Sequence, residues 1–154
     1  MNKLRRSFLE RAGGVGALAA ASVTGLLGTG QAWAAWNQAG FQSKAVAAVL
    51  KSLGASDAAE SKDISITAPD IAENGAIVPV AVTSRIPNTE QISIIAEKNP
   101  FPLAATFDMA PSGEGYVSTR LKMGQTSDVW AVVKAGGRFY VAKKEVKITV
   151  GGCG

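Results

Sequence analysis

The spacing of apolar residues changes once along the chain, near residue 56. Between Asn37 and Leu53, Phe41, Ala45, Val49 and Leu53 recur every four residues, and Val46 and Leu50 widen the same stripe. This spacing predicts one short amphipathic helix. Asn37 is placed to cap its start and Gly54 to end it in the left-handed conformation. Lys44 and Lys51 share its solvent side, too few cations for a membrane-surface helix, so the helix is expected to cover one end of a sheet. After the polar stretch 56–62 the period becomes two: Ile64 and Ile66; Val78, Val80 and Val82; Ile92 and Ile94; Ala105 and Phe107; Val117 and Leu121 around Thr119; Val129, Ala131 and Val133. Turn signals punctuate these runs at Asn74-Gly75, Ile86-Pro87-Asn88, Asn99-Pro100, Ser112-Gly113 and Gly136-Gly137. About seven strands with a turn after each run predict an all-β, immunoglobulin-like antiparallel β-sandwich.

The last strand region breaks the pattern. Phe139 and Val141 are odd-numbered, whereas Val146, Ile148 and Val150 are even. If both sets face one core, a bulge or short turn is required between Ala142 and Glu145. Lys143, Lys144 and Lys147 are then expected to be solvated, guarding a sheet edge.

Composition removes many chemistries. The chain has 154 residues, no histidine and one cysteine. A Ser/His/Asp or Cys/His catalytic unit, a His-ligated metal, an intrachain disulfide and a Cys-x-x-Cys pair are all excluded. The net charge of +4 is concentrated at the N-terminus, where Lys3, Arg5, Arg6 and Arg11 face only Glu10 and precede an Ala/Gly/Leu-rich run from Ala12 to Leu27. Charged-then-apolar is the order of an export signal, and Ala32-Trp33-Ala34 offers the small-x-small cleavage pattern. Arg5-Arg6-Ser7-Phe8-Leu9 resembles the twin-arginine signal, with Glu10 where lysine is usual. Six glycines between residues 13 and 32 make this run a poor bilayer anchor. The mature chain is then nearly neutral and without clustered cations, which argues against nucleic acid as a partner. The expected organisation is a twin-arginine signal peptide over residues 1–34, a helical segment over 35–56, a β-sandwich over 57–150 and an arm over 151–154.

No phosphate loop or dinucleotide fingerprint is present. Asp57, Glu60 and Asp63 cluster in a polar connector with no predicted burial, and read as a solvated linker rather than a catalytic carboxylate set. Glu73, Asp108 and Asp128 read as turn chemistry near strand ends. Cys153 differs in kind. It stands between Gly152 and Gly154, after Gly151, outside any apolar periodic run, so its thiol is expected to be exposed. The glycines permit unusual backbone angles and close approach to another protein's cleft. A prenylation signal needs three residues after the cysteine, and only Gly154 follows. A carrier or reactive thiol and an interchain disulfide both remain open.

The twin-arginine start, the small sandwich and the Gly-Gly-Cys-Gly segment together resemble the SoxY family, the sulfur-carrier subunits of the bacterial thiosulfate-oxidising system. The resemblance includes Ala72-Glu73-Asn74-Gly75 before Val78-Pro79-Val80, the Asn99-Pro100 turn, Thr119-Arg120-Leu121-Lys122-Met123 and residues 146–154. The family usually ends Gly-Gly-Cys-Gly-Gly, one glycine more than here. It implies a periplasmic, non-catalytic carrier without a cofactor of its own, holding thiosulfate-derived intermediates covalently on Cys153 at the tip of a flexible arm of Gly151, Gly152 and Gly154. Implied partners are SoxZ as heterodimer subunit, the haem enzyme SoxAX that loads the thiol, the hydrolase SoxB that releases sulfate and, where present, a sulfane-oxidising molybdenum and haem enzyme. An Ig-like interaction module joined by an interchain disulfide and a one-cysteine sulfurtransferase are the rival classes.

Overall fold

The structure is a computed structural model that describes residues 37–111 and 113–149. The expected signal peptide, Ser112, Val150 and the Gly151–Gly154 arm lie outside the described residues. Two short helices, α1 (Gln38–Gln42) and α2 (Val46–Leu53), precede nine strands: β1 (Ala59–Glu60), β2 (Ile64–Thr67), β3 (Ile71–Ala72), β4 (Val78–Ser84), β5 (Thr89–Ala96), β6 (Leu103–Asp108), β7 (Tyr116–Leu121), β8 (Ser127–Ala135) and β9 (Arg138–Ile148). The larger sheet has the order β1-β9-β8-β5-β6, with β3 also on β9, and the smaller sheet the order β2-β4-β7. The long ladders are antiparallel, and only the two-residue strands β1 and β3 pair in parallel. The expected all-β sandwich is borne out, and the two extra strands are those too short to show a period.

The sheets close on one core. From the smaller sheet come Ile64, Val78, Val80, Val82, Val117 and Leu121; from the larger, Ile92, Ile94, Val129, Ala131, Val133 and Val146. Their strict alternation in β4 is what two-residue spacing predicts for a strand buried on one face. In β5, by contrast, every residue from Ile92 to Ala96 is buried, because the helices cover the opposite face of the larger sheet. There Val49 and Ala55 form a second core with Ile95, Leu103, Val132 and Val141, against which Phe41, Leu50, Trp130 and Phe139 pack.

This second core corrects the expected bulge. The β8–β9 ladder runs without a register shift from Ala135 opposite Arg138 to Ser127 opposite Val146. Tyr140, Ala142, Val146 and Ile148 face the sandwich core, while Phe139 and Val141 face the helices. The parity change is thus two apolar faces of one regular strand. The lysines agree with expectation in part: Lys143 and Lys147 are exposed, but Lys144 is half-buried and β1 and β3 take parts of the outer edge of β9. The Lys144 ammonium donates to the Ala68 carbonyl at 2.7 Å and pairs with Asp70 at 3.0 Å. The Lys143 ammonium lies 3.8 Å from the centroid of Trp130, whose indole N–H donates to Glu97 at 2.9 Å. Only Lys147 stays exposed without such a contact among the described residues.

The single helix expected over 37–53 is two. Asn37 does cap the first, its side chain accepting from the Gly40 N–H at 2.9 Å, and Gly54 ends the second with φ 78°. Between them Ser43 and Ala45 are extended, and the Ser43 hydroxyl donates back to the Ala39 carbonyl at 2.7 Å. Such local side-chain bonds compete with helix continuation. The corner lets Asn37 donate to the Ser52 carbonyl at 3.0 Å and seats buried Gly40 where an added Cβ would stand 2.7 Å from Ser52 Oγ. Ala45 is consequently exposed.

At one end of the sandwich the β8–β9 hairpin turns on Gly136 and Gly137, both at positive φ, the geometry a two-residue hairpin loop demands. The Gly137 N–H donates to the Glu90 carboxylate at 3.1 Å, and Lys134 pairs with it at 2.9 Å. The Lys134 hydrogen bond, then that from Gly137, hold the Glu90 carboxyl below its ordinary pKa.

Two outcomes follow from this packing. Ile94→Ala, at a fully buried position, is expected to cost about 2–5 kcal/mol in urea unfolding. Because the folded state lowers the Glu90 pKa, its stabilising contribution is present above the ordinary glutamate pKa and lost as pH falls through the lowered one. Stability curves of the wild type and Glu90→Gln should therefore differ at neutral pH and converge in acid; a pH-independent gap would contradict this linkage.

Candidate functional site

Cys153, Gly151, Gly152 and Gly154 lie outside the described residues, so the site is built from the point at which the chain leaves the fold. β9 is held on both sides to its last residues. On one side the Lys147 N–H donates to the Asp70 carbonyl at 2.9 Å and the Thr149 N–H to the Ala72 carbonyl at 3.1 Å. On the other, the Thr126 hydroxyl accepts from the Ile148 N–H at 2.9 Å and donates towards the Ile148 carbonyl at 3.5 Å. A side chain here continues the ladder that the β8 backbone begins at Ser127.

The segment carrying Thr126 is fastened in turn. The Met123 N–H donates to the Gly75 carbonyl at 2.6 Å, and the Met123 side chain is buried in the sandwich core. Asn74 shapes the turn beneath it, its carboxamide oxygen accepting from the Ala76 N–H at 2.9 Å. Gly75 is required by this approach, since an added Cβ would run into the Met123 carbonyl oxygen and come 3.0 Å from Ile148 Cγ2. From the third side the Asn99 amide donates to the Lys122 carbonyl at 2.7 Å and its oxygen accepts from the Gly124 N–H at 3.3 Å. The Gln125 side chain reaches the Lys98 carbonyl at 3.3 Å.

Three sequence features therefore meet at one place. Ala72-Glu73-Asn74-Gly75, Asn99-Pro100 and the end of Thr119–Met123, far apart in the chain, form a clasp around the exit of β9. Thr126 and Gln125 complete it, and neither carries a sequence signal: a hydroxyl that substitutes for a ladder bond looks like any loop threonine. The other acidic candidates do not converge. Asp57, Glu60 and Asp63 are all exposed, and among the described residues no group of three acidic, histidine or cysteine side chains is arranged to hold a metal. The concavity lined by Arg85, Asn88, Glu90 and Met109 opens at the opposite end of the sandwich.

Disturbing the clasp should act locally. Gly75→Ala is expected to cost about 1–3 kcal/mol, and Thr126→Val about 1 kcal/mol. Both should raise hydrogen exchange at Ile148 and Thr149 well above that at Val132, read residue by residue by NMR; uniform exchange changes would mean that the clasp does not hold the root separately.

The family model of the sulfur oxidation protein SoxY matches residues 49–153, a span that includes Cys153. No curated protein matches the chain. Among solved structures, the sulfur carrier protein SoxY from Chlorobium limicola f thiosulfatophilum is 47% identical at a TM-score of 0.55, over 59% of this chain and 83% of that one. A superoxide reductase (neelaredoxin) from Ignicoccus hospitalis is 21% identical at a TM-score of 0.50, over 56% of this chain and 80% of that one. The latter is a likeness of fold alone. With the sandwich, the clasped exit of β9 and a family match through to the cysteine, the chain belongs to the SoxY family of sulfur oxidation proteins.

Proposed function

We propose that this chain is a sulfur carrier that bonds thiosulfate-derived groups to Cys153 and presents them to separate enzymes. The observation that carries the reading is the family match through Cys153, joined to a fold that secures the backbone as far as Thr149 and no charged or nucleophilic residue between the two. The Chlorobium relative is itself a sulfur carrier. Gly151, Gly152 and Gly154 give the thiol a slender approach into a cleft, and catalysis belongs to the visited enzyme.

In the loading step the Cys153 thiolate forms a sulfur–sulfur bond with the sulfane sulfur of thiosulfate. Two electrons leave, one at a time, to an external one-electron oxidant, which in this reading the haem enzyme SoxAX would supply, and the thiol proton goes to solvent. SoxB then adds water across the bond to the terminal sulfonate, releasing sulfate and leaving a persulfide on Cys153. A molybdenum and haem enzyme oxidises that sulfur with oxygen from water, and a second hydrolysis restores the thiol. SoxZ is the proposed heterodimer subunit. The place of work is the periplasm, reached by the twin-arginine route after cleavage behind Ala34, on the strength of Arg5-Arg6-Ser7-Phe8-Leu9.

The test is Cys153→Ser in a reconstituted thiosulfate-oxidising assay, with intact-mass analysis before and after reduction. Wild type is expected to carry reducible sulfur or thiosulfonate mass at Cys153. The variant should keep its unfolding midpoint and partner binding while thiosulfate-dependent electron transfer falls to background. Retained turnover would sink the carrier mechanism, and wild type carrying only a disulfide would favour an interaction module.

A further inference from the structure

The reach of the thiol is limited by covalent geometry. The Thr149 N–H is bonded to the Ala72 carbonyl, and Cys153 follows four residues later. At about 3.3–3.6 Å per residue, the Cys153 Cα can stand no farther than about 14 Å from that of Thr149, whatever path the backbone takes. An enzyme that acts on a group held there must come this close to Thr149. If its reacting atoms are recessed in a cleft, the rim of the cleft meets the surface around the clasp.

That surface is where the exposed apolar side chains are. Among the described residues four large hydrophobic side chains are more than half exposed: Ile71 at 58%, Ile77 at 59%, Phe101 at 53% and Tyr116 at 51%. Tyr116 stands at the far end, opposite Thr83. The other three flank the exit. Ile71 pairs with Lys147, two residues before Thr149. Ile77 closes the turn that begins at Asn74, its N–H donating to the Asn74 carbonyl, and Gly75 of that turn holds Met123. Phe101 is two residues beyond Asn99, which grips Lys122 and Gly124.

Single exposed hydrophobic residues are ordinary on a protein surface. These three are set apart by their place beside the clasp: Ile71 and Ile77 flank its Ala72–Gly75 member on either side and Phe101 follows its Asn99-Pro100 member, so the hydrogen bonds of the clasp fix their backbones around the exit of β9. Isoleucine is also stiff at χ1, so little freedom remains to be lost on docking.

We infer that Ile71, Ile77 and Phe101 form a docking collar on which the apolar rim of a client enzyme's active-site cleft seats while Cys153 enters it. The inference rests on the carrier reading and deepens it. Because the reach limit applies to every enzyme that visits the thiol, the collar is a contact shared by successive clients rather than a feature of one.

The test uses the full mature chain with its partner subunit. Ile71→Ser/Ile77→Ser, the triple variant with Phe101→Ser, and Tyr116→Ser as the far-end control are compared with wild type. Three quantities are read: alkylation of the thiol by iodoacetamide, association with the partner subunit, and KM and kcat of the thiosulfate-dependent loading enzyme with the carrier as substrate. In the collar variants alkylation and subunit association should be unchanged, kcat should stay within about twofold, and KM should rise by about tenfold. Tyr116→Ser should leave KM unchanged. An unchanged KM in the triple variant, an equal rise in Tyr116→Ser, or loss of the partner subunit from the collar variants would overturn the collar while wild-type loading left the carrier reading intact. Wild type that takes up no sulfur at Cys153 would overturn the carrier reading and the collar with it.

Discussion

The arrangement depends on β9 being held on both edges where it ends. Its inner edge pairs with β8 from Arg138 to Val146, and short parallel ladders to β1 and β3 take parts of its outer edge. One face lies on the sandwich core and the other, near its start, on the helices. Buried backbone groups left unpaired are costly, and here the Thr126 hydroxyl takes over at Ile148, where the β8 backbone no longer supplies the bond. A strand fixed in this way makes a firm base for whatever follows it. The clasp is the local expression of that constraint, and the proposed arm and collar both take their positions from it.

Much of the fold was legible because one-face burial writes itself as period two. β4 follows this rule through Val78–Val82, β8 shows the same spacing on its sandwich face at Val129, Ala131 and Val133 while Val132 is buried against the helices, and the Gly136-Gly137 and Asn74-Gly75 turns stand where the pattern stops. What misled was the assumption of a single core. A strand that touches one apolar layer with Phe139 and Val141 and another with Val146 and Ile148 looks like a broken strand if only one layer is imagined. The helix divided for a related reason: periodicity reports which residues are apolar, but not that Ser43 and Asn37 favour a corner that brings Gly40 against Ser52.

The site was legible in a different way. Cys153 between glycines stands out against a chain with no other thiol and no imidazole, and family likeness drew attention to Ala72–Gly75 and Asn99-Pro100. That these segments meet around one backbone exit could not be read from spacing, because their proximity is set by sheet order. Nor could the exposure of Ile71 and Ile77, which alternation alone assigns no more meaningfully than that of their neighbours.

The parallel ladder at β3 has a consequence for how the molecule is made. Asp70 and Ala72 bond Lys147 and Thr149 across more than half of the domain's sequence, and contacts of such separation form slowly and depend on the whole chain being present. Until β9 has been synthesised, the smaller sheet lacks Val146 above it, the helices lack Val141 beneath them, and Ile71 has no strand to lie on. Native structure in this domain is therefore completed only when β9 joins it, so that one strand entering after all the others closes both of its cores.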